Sequence, residues 1–148
     1  MEQKMKKLNN KISVVIRTKN EERWIGHCIQ SVLDQLSKPE IIIVDDDSKD
    51  ETLHIVRHFI QDPLVDNSEN RNYTNIKIFK FNDYTPGKAL NFGAAKAKYP
   101  VVLIISAHCV LKKINLKKHM MDIQDHVCIF GNQIPKWKGK KITKRYLW

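Results

Sequence analysis

The stretch Glu40-Ile41-Ile42-Ile43-Val44-Asp45-Asp46-Asp47-Ser48 decides the fold. Four β-branched residues in succession make a run too short for a helix and too apolar for a half-solvated strand. Such a run suits a parallel strand covered on both faces. It stops abruptly at three aspartates. Like charges side by side repel, and partial burial adds to the cost. The run therefore calls for hydrogen-bond donors, a cation or solvent. Carboxylates accept well from base N–H groups and ribose hydroxyls. One aspartate capping the next helix while the others stay solvated accounts for the pattern equally well.

Working outward, the same kind of run recurs. Ile12-Ser13-Val14-Val15-Ile16 precedes it, Ile76-Lys77-Ile78-Phe79-Lys80 follows as an alternating, half-exposed strand, and Val101-Val102-Leu103-Ile104-Ile105 is the most apolar. Val127-Cys128-Ile129-Phe130 reads as a fifth strand ending at Gly131. Helical periodicity fills the gaps. Trp24, Ile25, Cys28, Ile29, Val32, Leu33 and Leu36 form one apolar face, stopped by Lys38-Pro39. Leu53, Val56, Phe59 and Ile60 form a second, opened by Ser48 or Asp50 as cap. Leu90, Gly93, Ala94 and Ala97 give a third helix a narrow face able to approach a sheet closely. A weaker helix is expected near Leu116 to Ile123, and a polar loop over residues 63–75. This alternation predicts an α/β fold with right-handed crossovers and a mostly parallel sheet, helices lying on both faces.

Composition narrows the classes. The 148 residues suit one domain, and 42% hydrophobic content argues against wholesale disorder. No apolar run reaches the ~18 residues of a membrane span, and the basic start lacks the apolar region of a secretory signal. Three cysteines, Cys28, Cys109 and Cys128, form no CxxC pair and read as free thiols in a reducing cytoplasm. The net charge is +10 and crowds the two ends, with Lys4, Lys6, Lys7 and Lys11 at one and Lys136 to Arg145 at the other. Such a balance favours anionic partners. Without a nucleic-acid motif it does not point to DNA or RNA.

In open α/β sheets, ligands bind beyond the carboxyl ends of strands. Four segments lie there: Arg17-Thr18-Lys19-Asn20, Asp45-Asp46-Asp47-Ser48, Asn82 to Lys88, and Ser106-Ala107-His108. Pro86-Gly87-Lys88 opens the third helix, where an N-terminus and a lysine suit a phosphate. Neither GxxxxGK[ST] nor GxGxxG is present, which disfavours a P-loop enzyme and a standard dinucleotide fold.

Taken in order, SVVIRTKNEE, IIVDDDSKDET and GKALNFGAAKA resemble the VVIPTYNEE, VVDDGSxDxT and GxxxARNxGxxxA segments of glycosyltransferase family 2. The likeness covers residues 12 to 135. It implies a Rossmann-like GT-A fold that holds a nucleotide-diphosphate sugar and transfers the sugar to a hydroxyl acceptor in polysaccharide or glycan synthesis. By position, Thr18, Asn20 and Glu22 would line the nucleoside, and Asp45 or Asp46 would meet the base edge or ribose. Lys88 and Asn91 would lie near the base or diphosphate. The resemblance divides the chain into a basic tail (1–11), a nucleotide-sugar-binding domain (12–135) and a basic segment (136–148) leading towards an acceptor part. It also implies a carboxylate base in that later part, and Asp122 and Asp125 lie too early to supply it.

The family's fourth strand ends in a D-x-D motif that holds a divalent cation, Mn²⁺ or Mg²⁺, on the two phosphates. Here Ser106-Ala107-His108 stands in that place. Mg²⁺ prefers oxygen ligands. His108 is left as one candidate metal ligand, or as a group that meets the diphosphate directly. Phe130-Gly131-Asn132-Gln133-Ile134-Pro135 resembles the G-R-Q-x-P segment of rhamnosyltransferase-like members, with Asn132 in place of arginine. Two readings follow: an incomplete catalytic unit, or a non-catalytic nucleotide-sugar-binding remnant or regulatory module of the same fold. The expected partners are a nucleotide-sugar donor and a glycan or lipid-linked acceptor. The basic ends suit peripheral contact with an acidic membrane at its cytoplasmic face.

Overall fold

The computed structural model describes residues 11–61, 75–83 and 85–142. Nearly all of the expected polar loop, the basic N-terminal tail except Lys11, and residues 143–148 lie outside the described residues. Two compact units are present, one reaching to Leu116 and the other starting at Lys117.

The first unit alternates strand and helix: β1 (Ile12–Thr18), α1 (Ile25–Gln35), β2 (Glu40–Asp45), α2 (Thr52–Gln61), β3 (Ile76–Lys80), α3 (Pro86–Ala95) and β4 (Val101–Ser106). Its four strands are all parallel, in the order β3-β2-β1-β4. This is the α/β arrangement that the run pattern predicts. The second unit contains the helix α4 (Leu116–Asp125) from Lys117 on and a two-stranded antiparallel ribbon, β5 (Lys136–Trp137) with β6 (Lys140–Lys141).

The two central strands carry the core. Every residue of β2 is buried, and so is every residue of β1 except Arg17. Val15, Ile42 and Val44 share one face and pack with Ala89 of α3, flanked by Phe79, Phe81, Leu90 and Phe92. Alternation turns Val14, Ile16, Ile41 and Ile43 to the other face. All four are completely buried, so that face is covered too. Fully burying each such side chain contributes about 1.5–3 kcal/mol.

Gly93 explains how α3 comes so close. A Cβ built there would meet Val15 Cγ1 at 2.5 Å and Val44 Cγ2 at 3.0 Å. Phe92, one residue before it, stacks on Phe81 at 4.8 Å and meets Phe79 edge-on at 5.9 Å. The small-residue face expected on this helix thus rests mainly on Ala89 and Gly93, while Ala94 is exposed.

Capping chooses between the two sequence candidates for α2. Asp50 accepts from the backbone N–H of Thr52 at 3.0 Å and from its hydroxyl, whereas Ser48 is used elsewhere. Helix α1 ends at Gln35, and the chain turns through Lys38 at φ 51° before Pro39.

Two expectations need correction. Val127-Cys128-Ile129-Phe130 is not a strand; its backbone is irregular, and Val127 and Phe130 are 101% and 89% exposed. An apolar run signals a wish for burial, but a strand also needs a neighbour to take its backbone groups. Among the described residues none pairs with this one. The most apolar run, β4, is likewise not the most buried. It lies at the sheet edge, paired only with β1 among the described residues, and Ile104 is 52% exposed.

Candidate functional site

The strand register lines up the carboxyl ends. Lys80 lies beside Asp45, Asp45 beside Thr18, and Arg17 beside Ser106. The four segments singled out above therefore leave the sheet from one edge, as the parallel topology requires.

The loops after β1 and β2 are joined by a ladder of reciprocal hydrogen bonds. Asn20 donates its backbone N–H to Ser48 Oγ at 2.9 Å, and its own side-chain oxygen accepts from the Lys49 N–H at 2.7 Å. Glu21 N–H reaches Thr52 Oγ1 at 2.7 Å. Glu22 N–H reaches Asp50 Oδ2 at 3.0 Å, while Glu22 Oε2 accepts from Glu51 N–H at 3.1 Å. Asn20 and Asp47 both adopt φ near +50°, a left-handed conformation rare outside glycine but several-fold enriched for Asn and Asp. Asn20 and Glu22, expected to line a nucleoside, act here as staples between the loops.

The three aspartates divide their work. Asp45 is fully buried, and its carboxylate accepts from Ser48 Oγ at 2.6 Å and Ser48 N–H at 3.1 Å. It closes the loop. Asp46 pairs with Lys19 at 2.6 Å, its side chain 13% exposed. Asp47 pairs with Lys49 at 2.6 Å and lies 3.8 Å from Lys80. The Lys49 hydrogen bond and charge, helped by Lys80 and Lys19, hold the Asp47 carboxyl below its ordinary value. At Asp50 burial works upward, but hydrogen bonds from Thr52 and the Glu22 backbone outweigh it and the net shift is downward. The run of like charges seen in sequence is thus compensated by donors and lysines.

Lys19, Asn20, Asp46, Asp47, Lys49 and Asn82 line an open cleft of about 350 Å³. That volume lies within the range of small-molecule sites, roughly 300–1,000 Å³. Lys49 is not among the sequence candidates; its backbone N–H bonds Asn20 and its ammonium pairs with Asp47 at the cleft. In the sequence, Asp47 and Asn82 stand out only as members of the strand-end segments. At the end of β1, next in sequence to Lys19, Thr18 is 2% exposed and its Oγ1 has no hydrogen-bond partner among the described residues. Buried hydroxyls are normally satisfied, which marks Thr18 as a group suited to a ligand or bound water.

At the end of β4, the N–H of Ala107 donates to Arg17 O at 3.2 Å and that of Cys109 to Ser106 O at 2.9 Å. This turn exposes His108, whose Nδ1 lies 3.0 Å from Glu21 Oε1. The contact links the β4 turn to the β1 loop. Below it, Cys28 donates its S–H towards Ser106 O at 3.7 Å. Burial, with Cys109 and Glu21 nearby, pushes this thiol up to about 12, which removes it as a nucleophile at neutral pH.

The turn presents one hydroxyl and one imidazole, and the adjoining Glu21 already engages that imidazole. Among the described residues, no three His, Cys, Asp or Glu side chains gather to hold a metal ion. These residues do not fit a hard divalent cation, which takes oxygen ligands. On the other flank, Thr85 caps α3 by accepting from Lys88 N–H at 3.3 Å, with Pro86 in the first turn. Lys88 Nζ pairs with Asp83 at 2.7 Å, and Asn91 is exposed on the same helix.

This geometry has relatives. The sequence profile described as Glycosyl transferase family 2 matches residues 13–147. Poly(ribitol-phosphate) beta-N-acetylglucosaminyltransferase TarS of Staphylococcus aureus is 30% identical over 121 residues, a match covering 78% of this chain and 19% of that protein. The crystal structure of S. aureus TarS 1-349 in complex with UDP superposes with a TM-score of 0.63 at 28% identity, over 85% of this chain and 38% of that one. A mannosyltransferase from Pyrobaculum calidifontis, PcManGT, solved with GDP-Man and Mn²⁺, shares the fold with a TM-score of 0.63 at 19% identity, over 78% of this chain and 32% of that one. The chain thus spans well under half the length of these relatives. A profile match over nearly its whole length, on a parallel GT-A sheet, makes this chain a member of glycosyl transferase family 2.

Proposed function

We propose that this chain binds the nucleoside diphosphate of a sugar donor at the carboxyl edge of its sheet and forms the donor-binding part of a glycosyltransferase. The acceptor in this reading is a hydroxyl of a glycan or a lipid-linked glycan. The observation that carries the reading is the stapled pair of loops flanking the Lys19–Asp46 cleft. The ladder holds that cleft in one shape before any ligand arrives, so little ordering remains to be done on binding. TarS, similar over most of this chain, was crystallised with UDP.

Within the cleft, Asp46 and Asn82 recognise the base edge or ribose, and Thr18 supplies a buried hydroxyl. Asp45, Asn20 and Glu22 hold the walls. Lys88 and Asn91 on α3, with Ser106 and His108 on the β4 turn, face the diphosphate. Glu21 holds His108 through Nδ1, which leaves Nε2 to meet a phosphate oxygen. This gives the diphosphate a hydrogen-bonding partner without a carboxylate-bound metal. The base that deprotonates the acceptor hydroxyl belongs, in this proposal, to an acceptor part beyond the donor domain of residues 12–135. The likeness of residues 130–135 to rhamnosyltransferase-like members puts deoxysugar donors beside UDP-N-acetylhexosamines in the test panel. Placement at the cytoplasmic face of an acidic membrane follows from the basic ends, and weak, salt-independent binding to anionic vesicles would count against it.

Calorimetric titration with UDP, GDP, dTDP and ADP, each with Mn²⁺ and with EDTA, tests the reading. One preferred nucleoside diphosphate should bind, with an affinity that changes little between the two conditions. No binding to any nucleotide contradicts it. A second reading, a binding module without turnover, is favoured by the loss of carboxylates at residues 106–108. Sugar release from the preferred donor would overturn that second reading.

A further inference from the structure

Away from the cleft, helix α2 carries two histidines one turn apart on its solvent side. His54 and His58 are both exposed, and their Nε2 atoms lie 3.0 Å apart. The rings meet edge to face, centroids 4.6 Å apart at 75°. We propose that this pair is a chelating site for a late first-row divalent metal ion of the Zn²⁺, Ni²⁺ or Cu²⁺ type.

The geometry is that of two ligands on one ion. Metal–N bonds of about 2.0–2.1 Å place two imidazole nitrogens about 3 Å apart at the right angle of tetragonal Cu²⁺ or Ni²⁺, and about 3.3 Å apart at the tetrahedral angle of Zn²⁺, a small side-chain adjustment from the pair seen here. The helix enforces this spacing, because residues four apart stand one above the other on the same face. Leu53 and Val56 point the opposite way into the core and anchor the helix. The two rings are therefore pre-positioned, and binding needs no rearrangement of the backbone. Exposure leaves the remaining coordination positions to water. Imidazole ligands select these ions over Mg²⁺ and Ca²⁺, which take oxygen.

In the metal-free pair, one ring donates its Nε2–H to the lone pair of the other. On binding, that proton passes through solvent to Nδ1 of the same ring. Both Nε2 lone pairs then bind the ion, and neither ring changes charge.

The test is calorimetric titration of chelator-treated protein with ZnCl₂, with the thermal midpoint read in parallel. Wild type should bind one Zn²⁺ per chain at this pair, and its midpoint should rise, since an ion bound to the folded state stabilises it. His54→Ala and His58→Ala should each weaken that binding by about 100-fold, because a chelate becomes a single-ligand contact. His58→Gln should behave like His58→Ala, and circular dichroism should report an unchanged helix content. His108→Ala should leave Zn²⁺ binding at the pair intact. Unaltered Zn²⁺ affinity in both pair variants would overturn the proposal and leave a surface hydrogen bond. So would loss of binding in His108→Ala alone, which would place the ion at the β4 turn.

Discussion

Strand β2 begins and ends on buried carboxylates, Glu40 and Asp45, but the two aspartates just beyond its end are treated differently. At its start, Glu40 is completely buried and satisfied on all sides. It accepts from Ser13 Oγ, from Lys77 Nζ at 2.8 Å and from the Lys98 backbone N–H at 2.7 Å, and Ser13 Oγ also receives the Tyr99 N–H at 3.1 Å. Burial pushes the Glu40 carboxyl up, but these donors and the Lys77 charge outweigh it and hold it below its ordinary value. At the far end, only Asp45 is buried in this manner, while Asp46 and Asp47 face an open cleft through lysine pairs. One end locks β1, β2, β3 and the segment after α3 together. The other leaves Asp46 and Asp47 on an open cleft, the place where our proposal puts the ligand. A carboxylate at a strand end thus serves the fold or the site according to how fully its surroundings consume it.

The sharpest way to break this contrast is Glu40→Ala. Removing one partner leaves Ser13, Lys77 and the Lys98 N–H without their acceptor, at a cost of about 3–5 kcal/mol in urea unfolding. Folded variant should still bind nucleotide with wild-type affinity; a selective loss of affinity would mean the two ends are coupled. Gly93→Ala comes next. It forces a Cβ into Val15 and Val44 and should cost about 1–3 kcal/mol by overpacking. Asp46→Ala should reverse the pattern, lowering nucleotide affinity about tenfold, or about 1.4 kcal/mol. Its stability should fall by no more than about 1 kcal/mol, since Lys19 is 57% exposed and water can take over its ammonium.

The smallest effect concerns acid. Glu40 has a depressed folded-state pKa, so its contribution is present above the unfolded value, ordinarily 4.5, and is lost as pH falls through the folded value. The stability gap between wild type and Glu40→Gln should therefore stay constant from neutral pH to about 4.5 and shrink below it. A gap that widens on acidification would contradict the assigned sign.

Local pattern carried much of this in advance. The runs at 12–16, 40–44, 76–80 and 101–105 predict β1 to β4, and Gly93 on a small-residue face predicts a close helix. What escaped was non-local. The contacts of Asn20 with Ser48 and Lys49 span 28 and 29 positions, so nothing in either loop alone announces that Asn20 staples rather than faces outward. Asp45 and Asp46 look alike in sequence. The pleat and the following turn assign one to Ser48 and the other to Lys19. Residues 127–130 misled because apolar character was read as pairing.

Above all, we propose that the stapled strand-end cleft is a nucleotide site. Amide chemical-shift mapping of the ¹⁵N-labelled chain on addition of UDP, or of whichever diphosphate binds best, tests it most directly. The account predicts saturable shifts at Lys19, Asn20, Asp46, Asp47, Lys49 and Asn82 and at residues 106–109, in EDTA as in Mn²⁺. Shifts confined to other surfaces, or none at saturating nucleotide, would contradict it.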